Sequence, residues 1–161
     1  MSASTRSLFL DTATATEHLG AALWHAWSGE TQCVVYLRGD LGAGKTTLVR
    51  GLLRAAGHGG PVRSPTYTLI EPYELSGCRV LHLDLYRLGD PEELEFIGLR
   101  DELGASCLIL VEWPDRGRGA MPDADLVVQI DDDGASRTAM LMADTGHGRT
   151  LMRSLADIVV D

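Results

Sequence analysis

Lysine is almost missing from this sequence: among 161 residues there are thirteen arginines and one lysine, Lys45. Long apolar runs are missing as well. No stretch approaches the ~18 residues that a membrane span needs, so no membrane association is expected. The first arginine is followed by no long apolar segment, and Asp11 comes soon after, so no secretory leader is expected either. Cysteine is sparse and scattered, as Cys33, Cys78 and Cys107, with no C-x-x-C spacing. That excludes the usual zinc and redox motifs and reads as buried thiols in a reducing, cytoplasmic compartment. Positive charge is scarce overall. A net charge of −9 repels nucleic-acid backbones, so no stable DNA binding is expected. Any role on RNA would run through a local arginine patch or a partner protein. Repeats and low-complexity segments are absent. What remains, 45% apolar and 23% charged residues, is ordinary for a globular protein, and the length suits a single domain over residues 1–161.

The lone lysine lies in Gly39-Asp40-Leu41-Gly42-Ala43-Gly44-Lys45-Thr46-Thr47, which fits G-x-x-x-x-G-K-[ST], the phosphate-binding loop of nucleoside triphosphatases. Glycines at 39, 42 and 44 leave the backbone free to wrap an anion with inward-turned N–H groups. The candidate nucleotide contacts are therefore Leu41, Gly42, Ala43, Gly44, Lys45, Thr46 and Thr47. Lys45 would reach the outer phosphates, and the Thr46 hydroxyl would sit on Mg²⁺. Val34-Val35-Tyr36-Leu37 reads as a strand entering the loop, and Leu48 to Arg54 continues at helical spacing. This strand–loop–helix order is what the chemistry requires. An ammonium also suits the position, where a planar guanidinium would not fit beneath phosphates. A glycine-rich turn before a surface helix is the plainer alternative, and it leaves that order unexplained.

Further along, Ser7 to Leu10 reads as an edge strand. Thr14-x-x-Glu17 has capping-box spacing ahead of an apolar stripe of Leu19, Ala22, Leu23, Ala26 and Trp27. Trp24 and Trp27 read as packing residues. The segment from Gly57 to Thr68 is a loop rich in glycine and proline; it is either a plain connection or a mobile segment that senses the γ-phosphate, with Thr66 offering a hydroxyl to metal or water. His58 within it reads as a surface residue. Thr68–Glu71 and Arg79–Arg87 form a hairpin-like pair across a Ser76-Gly77 turn. Alternation puts His82, Asp84 and Tyr86 on one face, and Leu81, Leu83 and Leu85 on the other. Asp84 is then either a carboxylate brought to the phosphates and their metal or a strand-end acid paired with Arg87. Asp90, Pro91 and the acids after them start a helix, and Leu99–Leu103 makes a second short one. Cys107 to Glu112 is the most apolar run and reads as a central strand, ending where open α/β sheets bind ligands. Glu112 is a second candidate for metal or water, against a purely structural buried acid. Trp113 would stack on a base or partner, or cap the core. Arg116-Gly117-Arg118-Gly119 is a short basic loop. Asp125–Ile130 and Arg137–Met142 read as a closing antiparallel pair, and Leu151, Met152, Leu155, Ile158 and Val159 as the stripe of a last helix.

Taken together, Gly-Asp-Leu-Gly-Ala-Gly-Lys-Thr-Thr at 39–47, Ser-Pro-Thr-Tyr-Thr-Leu at 64–69, His-Leu-Asp-Leu-Tyr-Arg at 82–87, Asp-Pro-Glu-Glu-Leu-Glu-Phe at 90–96 and Val-Glu-Trp-Pro at 111–114 closely resemble the TsaE (YjeE) family. The likeness runs from about Asp11 to Arg137, with Leu83 standing where the family usually has Phe. It implies a three-layer α/β P-loop NTPase whose mixed, mostly parallel sheet is flanked by helices. It implies an ATPase, using ATP and Mg²⁺, that supports turnover of the TsaD–TsaB complex in tRNA threonylcarbamoyladenosine biosynthesis, meeting tRNA only through that complex. Carried over by residue, Lys45 and Thr46 serve the phosphates and Mg²⁺, Glu112 is the second metal ligand, and Asp84 and Thr66 belong to the catalytic environment beside Trp113. Asp11, Ala13 and Arg137 would lie near the base. A small P-loop kinase would want an acceptor pocket and an arginine lid, for which Arg116 and Arg118 are the only close pair. A GTPase would want Asn-Lys-x-Asp, which the single lysine excludes. An ATP-gated interaction module with incidental hydrolysis fits every motif quoted, and the acidic surface suits docking to a basic protein–tRNA complex.

Overall fold

The computed structural model describes residues 4–158 apart from Glu30, Ser76 and Ala105, with the side chains at 157 and 158 also left out. Ser76 of the expected turn, and Val159 and the Ile158 side chain of the expected last stripe, therefore lie outside the described residues. The strands are β1 (Ser4–Leu10), β2 (Cys33–Arg38), β3 (Ile70–Leu75), β4 (Cys78–Asp84), β5 (Cys107–Glu112), β6 (Leu126–Asp132) and β7 (Arg137–Ala143). The helices are α1 (Ala13–Ala26), α2 (Lys45–Ala55), α3 (Glu93–Phe96), α4 (Leu99–Glu102) and α5 (Gly146–Ile158), with a 3-10 turn at Pro114–Gly117. All seven strands join one sheet in the order β1-β7-β6-β2-β5-β4-β3.

The four inner strands, β6, β2, β5 and β4, run parallel, while β3 adds antiparallel at one edge and β7 and β1 at the other. Burial follows from that position. Every residue of β5 is buried, as expected of a strand with neighbours on both sides and layers on both faces. Its alternation divides two cores. Leu108 and Leu110 join α1, α2 and α5 through Leu19, Leu48, Leu52 and Leu151. Cys107, Ile109 and Val111 face the opposite way, with Leu81, Leu83, Leu94 and Leu99. The three-layer arrangement is thus built by period-two side-chain parity on a doubly covered sheet.

Several local expectations change. The cap of α1 is Thr12, whose Oγ1 accepts the Ala15 N–H at 3.0 Å, so the helix starts before Thr14. Glu17 is not a capping-box partner but pairs with Arg50 and Arg54 of α2, at 3.9 and 3.7 Å. Asp90 accepts the Glu92 N–H at 2.9 Å in a turn, so α3 begins only at Glu93. Trp24 and Trp27 do pack, edge to face with centroids 5.7 Å apart. The closing β6–β7 pair forms, and so does a β3–β4 hairpin with other bounds: Leu69 is left-handed at φ 66°, so β3 starts at Ile70 rather than Thr68 and runs on to Leu75, and β4 stops at Asp84, short of Arg87.

The α1–α2 contact has a requirement that periodicity does not reveal. A Cβ on Gly20 would lie 2.0 Å from the Leu48 carbonyl oxygen, and one on Gly51 would lie 2.1 Å from the Glu17 carbonyl oxygen. Each helix approaches the other backbone to backbone through its own glycine. Because backbone cannot yield as a side-chain tip can, Gly20→Ala and Gly51→Ala should each cost about 1–3 kcal/mol or more in denaturant unfolding, although alanine is the better helix former. An unchanged midpoint in both would contradict the close crossing.

The thiols make a second check. Cys33 and Cys107 are buried, whereas Cys78 is only half-buried, a correction to the expectation that all three are interior. Burial, reinforced by Asp125, pushes the Cys33 thiol up to about 12. A raised value means less thiolate at pH 8, and the thiolate is the reacting form. The Cys78 thiol is raised too, by burial and then by Glu74, so access sets it apart: it alone should react, slowly, with a thiol reagent in the native protein at pH 8, with all three reacting after denaturation.

Candidate functional site

The loop between β2 and α2 is shaped by backbone contacts. Gly39 runs against β6, where an added Cβ would meet the Ile130 carbonyl oxygen at 2.6 Å. Gly44 enters α2 at φ 117°, a conformation that side-chain-bearing residues rarely adopt. No side chain caps α2, so its first N–H groups are left for a ligand at the positive end of the helix dipole. Ala43 turns inward and is buried in the core beneath the loop.

Lys45 opens the helix and is 5% exposed. Its Nζ donates to the carbonyls of Gly39 and, at 3.1 Å, of Asp40, and it lies 4.3 Å from the Trp113 ring centroid. Burial lowers its pKa, opposed by the charges of Glu112, Asp84 and Asp40. Trp113 takes a left-handed conformation at the end of β5 and tilts against Tyr86, with centroids 5.0 Å apart.

The acids come from neighbouring strands in one row. In the register, Leu37 of β2 pairs with Glu112 of β5, and Glu112 pairs with Asp84 of β4. Glu112 is buried, and its Oε2 accepts from His82 Nε2 at 2.7 Å and from Thr46 Oγ1 at 3.4 Å. Asp84 accepts from the Ser64 hydroxyl and, at 3.0 Å, from the Tyr86 N–H. The alternative in which Asp84 merely pairs with Arg87 does not hold. Arg87 instead lies 4.8 Å from the centroid of the exposed Tyr67 ring.

These groups enclose a cleft of ≈ 340 Å³, within the range of small-ligand sites. Leu41, Gly42, Gly44, Lys45, Thr46 and Thr47 line one side. Ser64, Thr66, Asp84, Glu112 and Trp113 line the other, together with Tyr86 and Arg87. The donors offered by Thr46, Glu112 and Asp84 are all oxygen, which fits a hard divalent cation such as Mg²⁺. Arg137 approaches from β7, its Nη2 donating to the Gly42 carbonyl at 3.3 Å. Asp11 and Ala13 are exposed at the start of α1 and do not line this cleft. From the same helix, Thr16 comes close instead, with its Cγ2 3.5 Å from where a Gly44 Cβ would be. His58 is half-buried edge-on to Tyr73, away from the cleft. In the basic loop, Arg118 pairs with Asp115 at 3.3 Å, whereas Arg116 lies over Tyr86 at the cleft wall, 5.3 Å from the ring centroid.

Sequence reasoning missed the contacts of His82 and Ser64. For His82 a signal existed, a polar residue within Val80-Leu81-His82-Leu83 at the same parity as Asp84. Ser64 carries none beyond its place before Pro65.

A strand feeding a glycine loop and an uncapped helix, with acids at the ends of adjacent parallel strands, defines the P-loop class of α/β nucleotide-binding folds. The chain superposes on a crystal structure of Bacillus subtilis YdiB with a TM-score of 0.76 at 25% identity, covering 98% of this chain and 97% of that one. The family described as "Threonylcarbamoyl adenosine biosynthesis protein TsaE" matches residues 10–140, and the chain belongs to the TsaE family. Among its relatives is the "tRNA threonylcarbamoyladenosine biosynthesis protein TsaE" of Haemophilus influenzae, 48% identical over 128 residues, which span 80% of this chain and 81% of that one. The Synechocystis protein of the same name is 37% identical over 123 residues, 72% and 74% of the two chains.

Proposed function

We propose that this protein is a Mg²⁺-dependent ATPase acting in the cytoplasm in tRNA threonylcarbamoyladenosine biosynthesis, where its hydrolysis of ATP drives turnover of a TsaD–TsaB complex. The observation that carries the ATPase reading is the convergence of Lys45, Thr46, Asp84 and Glu112 on one cleft at the ends of β2, β4 and β5. The pathway rests on the family and on the names its relatives carry.

Each residue has a part that follows from its surroundings. The Lys45 ammonium is held by two loop carbonyls, partners it can exchange for phosphate oxygens without moving far from the loop. The free N–H groups of α2 and its dipole add attraction for the same anion. Thr46 and Glu112 would hold Mg²⁺, which when bound neutralises phosphate charge and orients the oxygens. Asp84 ties the segment carrying Thr66 to the sheet through Ser64, so the loop and the strand end move together around the terminal phosphate. Trp113 stacks beside Lys45 and limits water at the cation. With a net charge of −9, contact with tRNA would pass through the partner proteins.

The ATP-gated module has one observation in its favour. Leu41, 68% exposed, and Tyr67, 84% exposed, present apolar surface around the cleft, as a docking face sensitive to nucleotide would. A non-hydrolysable ATP analogue that sustains modification as well as ATP would favour gating over hydrolysis.

Lys45→Ala should weaken ATP binding by about a hundredfold or more, the loss expected for one charge-bearing donor in a water-poor site. Glu112→Ala should lower hydrolysis by about 10²–10³-fold while altering ATP affinity at saturating Mg²⁺ much less, with more Mg²⁺ needed to reach that affinity. Calorimetry and phosphate release on the purified chain separate the two, and wild-type turnover in Glu112→Ala would remove that residue from the site. Hydrolysis should also rise markedly when TsaB and TsaD are added, and that rise should vanish in Lys45→Ala. Absence of stimulation, with phosphate transferred to a metabolite, would replace this reading with the kinase.

A further inference from the structure

We infer that His82 is a positioning residue for Glu112: its imidazole sets the orientation of the carboxylate on which Mg²⁺-dependent nucleotide binding relies. The inference rests on the ATP–Mg²⁺ reading above and adds to it a residue from outside the cleft lining.

On β4, Val80, Leu81 and Leu83 are fully buried, and so is His82. Its register partner on β5 is Leu110, not Glu112, so the ring reaches diagonally along the shared face to the strand end. There Nε2 meets Glu112 Oε2 at 2.7 Å, with both side chains nearly inaccessible to solvent. A carboxylate only accepts, so Nε2 carries the proton and donates. The other ring nitrogen, Nδ1, is buried without a hydrogen-bond partner among the described residues. A buried nitrogen left unpaired is costly, and leucine would fill this space without that cost. Packing therefore does not account for the histidine, whereas the bond to Glu112 does.

The bond matters because a carboxylate rotates. Two donors restrain Oε2, and the Thr46 hydroxyl is the weaker, at 3.4 Å. Thr46 is also the residue whose hydroxyl would turn toward the cation, while His82 faces only Glu112. The imidazole is thus the fixed support of the acid. A partner standing behind a metal-binding group in this way commonly changes metal affinity or activity by about 10–100-fold when removed.

The test uses the full chain with His82→Leu and His82→Gln, reading ATP binding by tryptophan fluorescence in EDTA and across a Mg²⁺ titration. In His82→Leu, the Mg²⁺ needed for half-maximal response should rise about tenfold or more. Its ATP affinity in EDTA should stay within about twofold of wild type, since the phosphate loop is untouched. Its thermal midpoint should fall, because Glu112 stays buried and loses its nearer donor, and His82→Gln should restore most of that loss. His82→Gln, whose amide donates from nearly the same position as Nε2, should recover most of the Mg²⁺ response. Wild-type Mg²⁺ dependence in His82→Leu would overturn the inference. So would equal weakening of both variants in EDTA, which marks a packing role. Should His82→Leu not fold, His82→Asn, too short to reach Glu112, takes its place with the same expected shift. Wild-type binding that ignores Mg²⁺ would refute the ATP–Mg²⁺ reading itself, a result visible before any variant is made.

Discussion

Side chains on a strand alternate, and parallel neighbours in register keep their alternation in step. In this protein that rule puts Leu37, Glu112 and Asp84 in one row across β2, β5 and β4. Had β5 slipped by one residue, Glu112 would face the Leu81–Leu94 core and Val111 would face the phosphate loop. The register is held by apolar residues on both faces of β5, so the same burial that stabilises the sheet also aims its acids. Lys45, Thr46, Asp84 and Glu112 meet because a hydrophobic pattern fixes where the strands end.

The site works against the fold that carries it. Lys45, Asp84, Glu112 and His82 are all buried at the ends of an apolar sheet, and each loses hydration there. Their mutual contacts offset part of that loss. Glu112 has His82 and Thr46, Asp84 has Ser64 and the Tyr86 amide, and Lys45 has two carbonyls of its own loop. The remainder shows as groups without partners among the described residues: His82 Nδ1 and, beside Gly44, Thr16 Oγ1. Local stability is given up where ligands are to be held, which is common at functional sites.

Much of this could be read from residues, and what could not has physical reasons. The phosphate loop, the β2 and β5 strands and the β3–β4 hairpin are encoded by short-range features, namely glycine spacing, apolar runs and alternation. The α1–α2 crossing depends on Gly20 and Gly51 meeting carbonyls 28 and 34 residues away in sequence, and glycine within a helix reads locally only as a weakness. Thr12 and Thr14 are both plausible caps, and the choice between them fell to Glu17 being drawn to Arg50 and Arg54. Asp84 had two possible partners, Arg87 and the cleft. The Tyr67 ring, supplied by a loop whose course no pattern specified, drew Arg87 away. Local signals marked the elements, and competition between distant partners decided the contacts.

The edge strand β1 pairs with β7 from Ser4 opposite Ala143 to Leu10 opposite Arg137. During synthesis β1 therefore has no partner in the sheet until β7 follows, Arg137 being 127 residues beyond Leu10. The phosphate loop, by contrast, has both strands that flank β2 once β6 has been made. Pairing β1 with β7 spans the widest sequence separation in the sheet, and it comes when the strands between them already offer a surface to dock on.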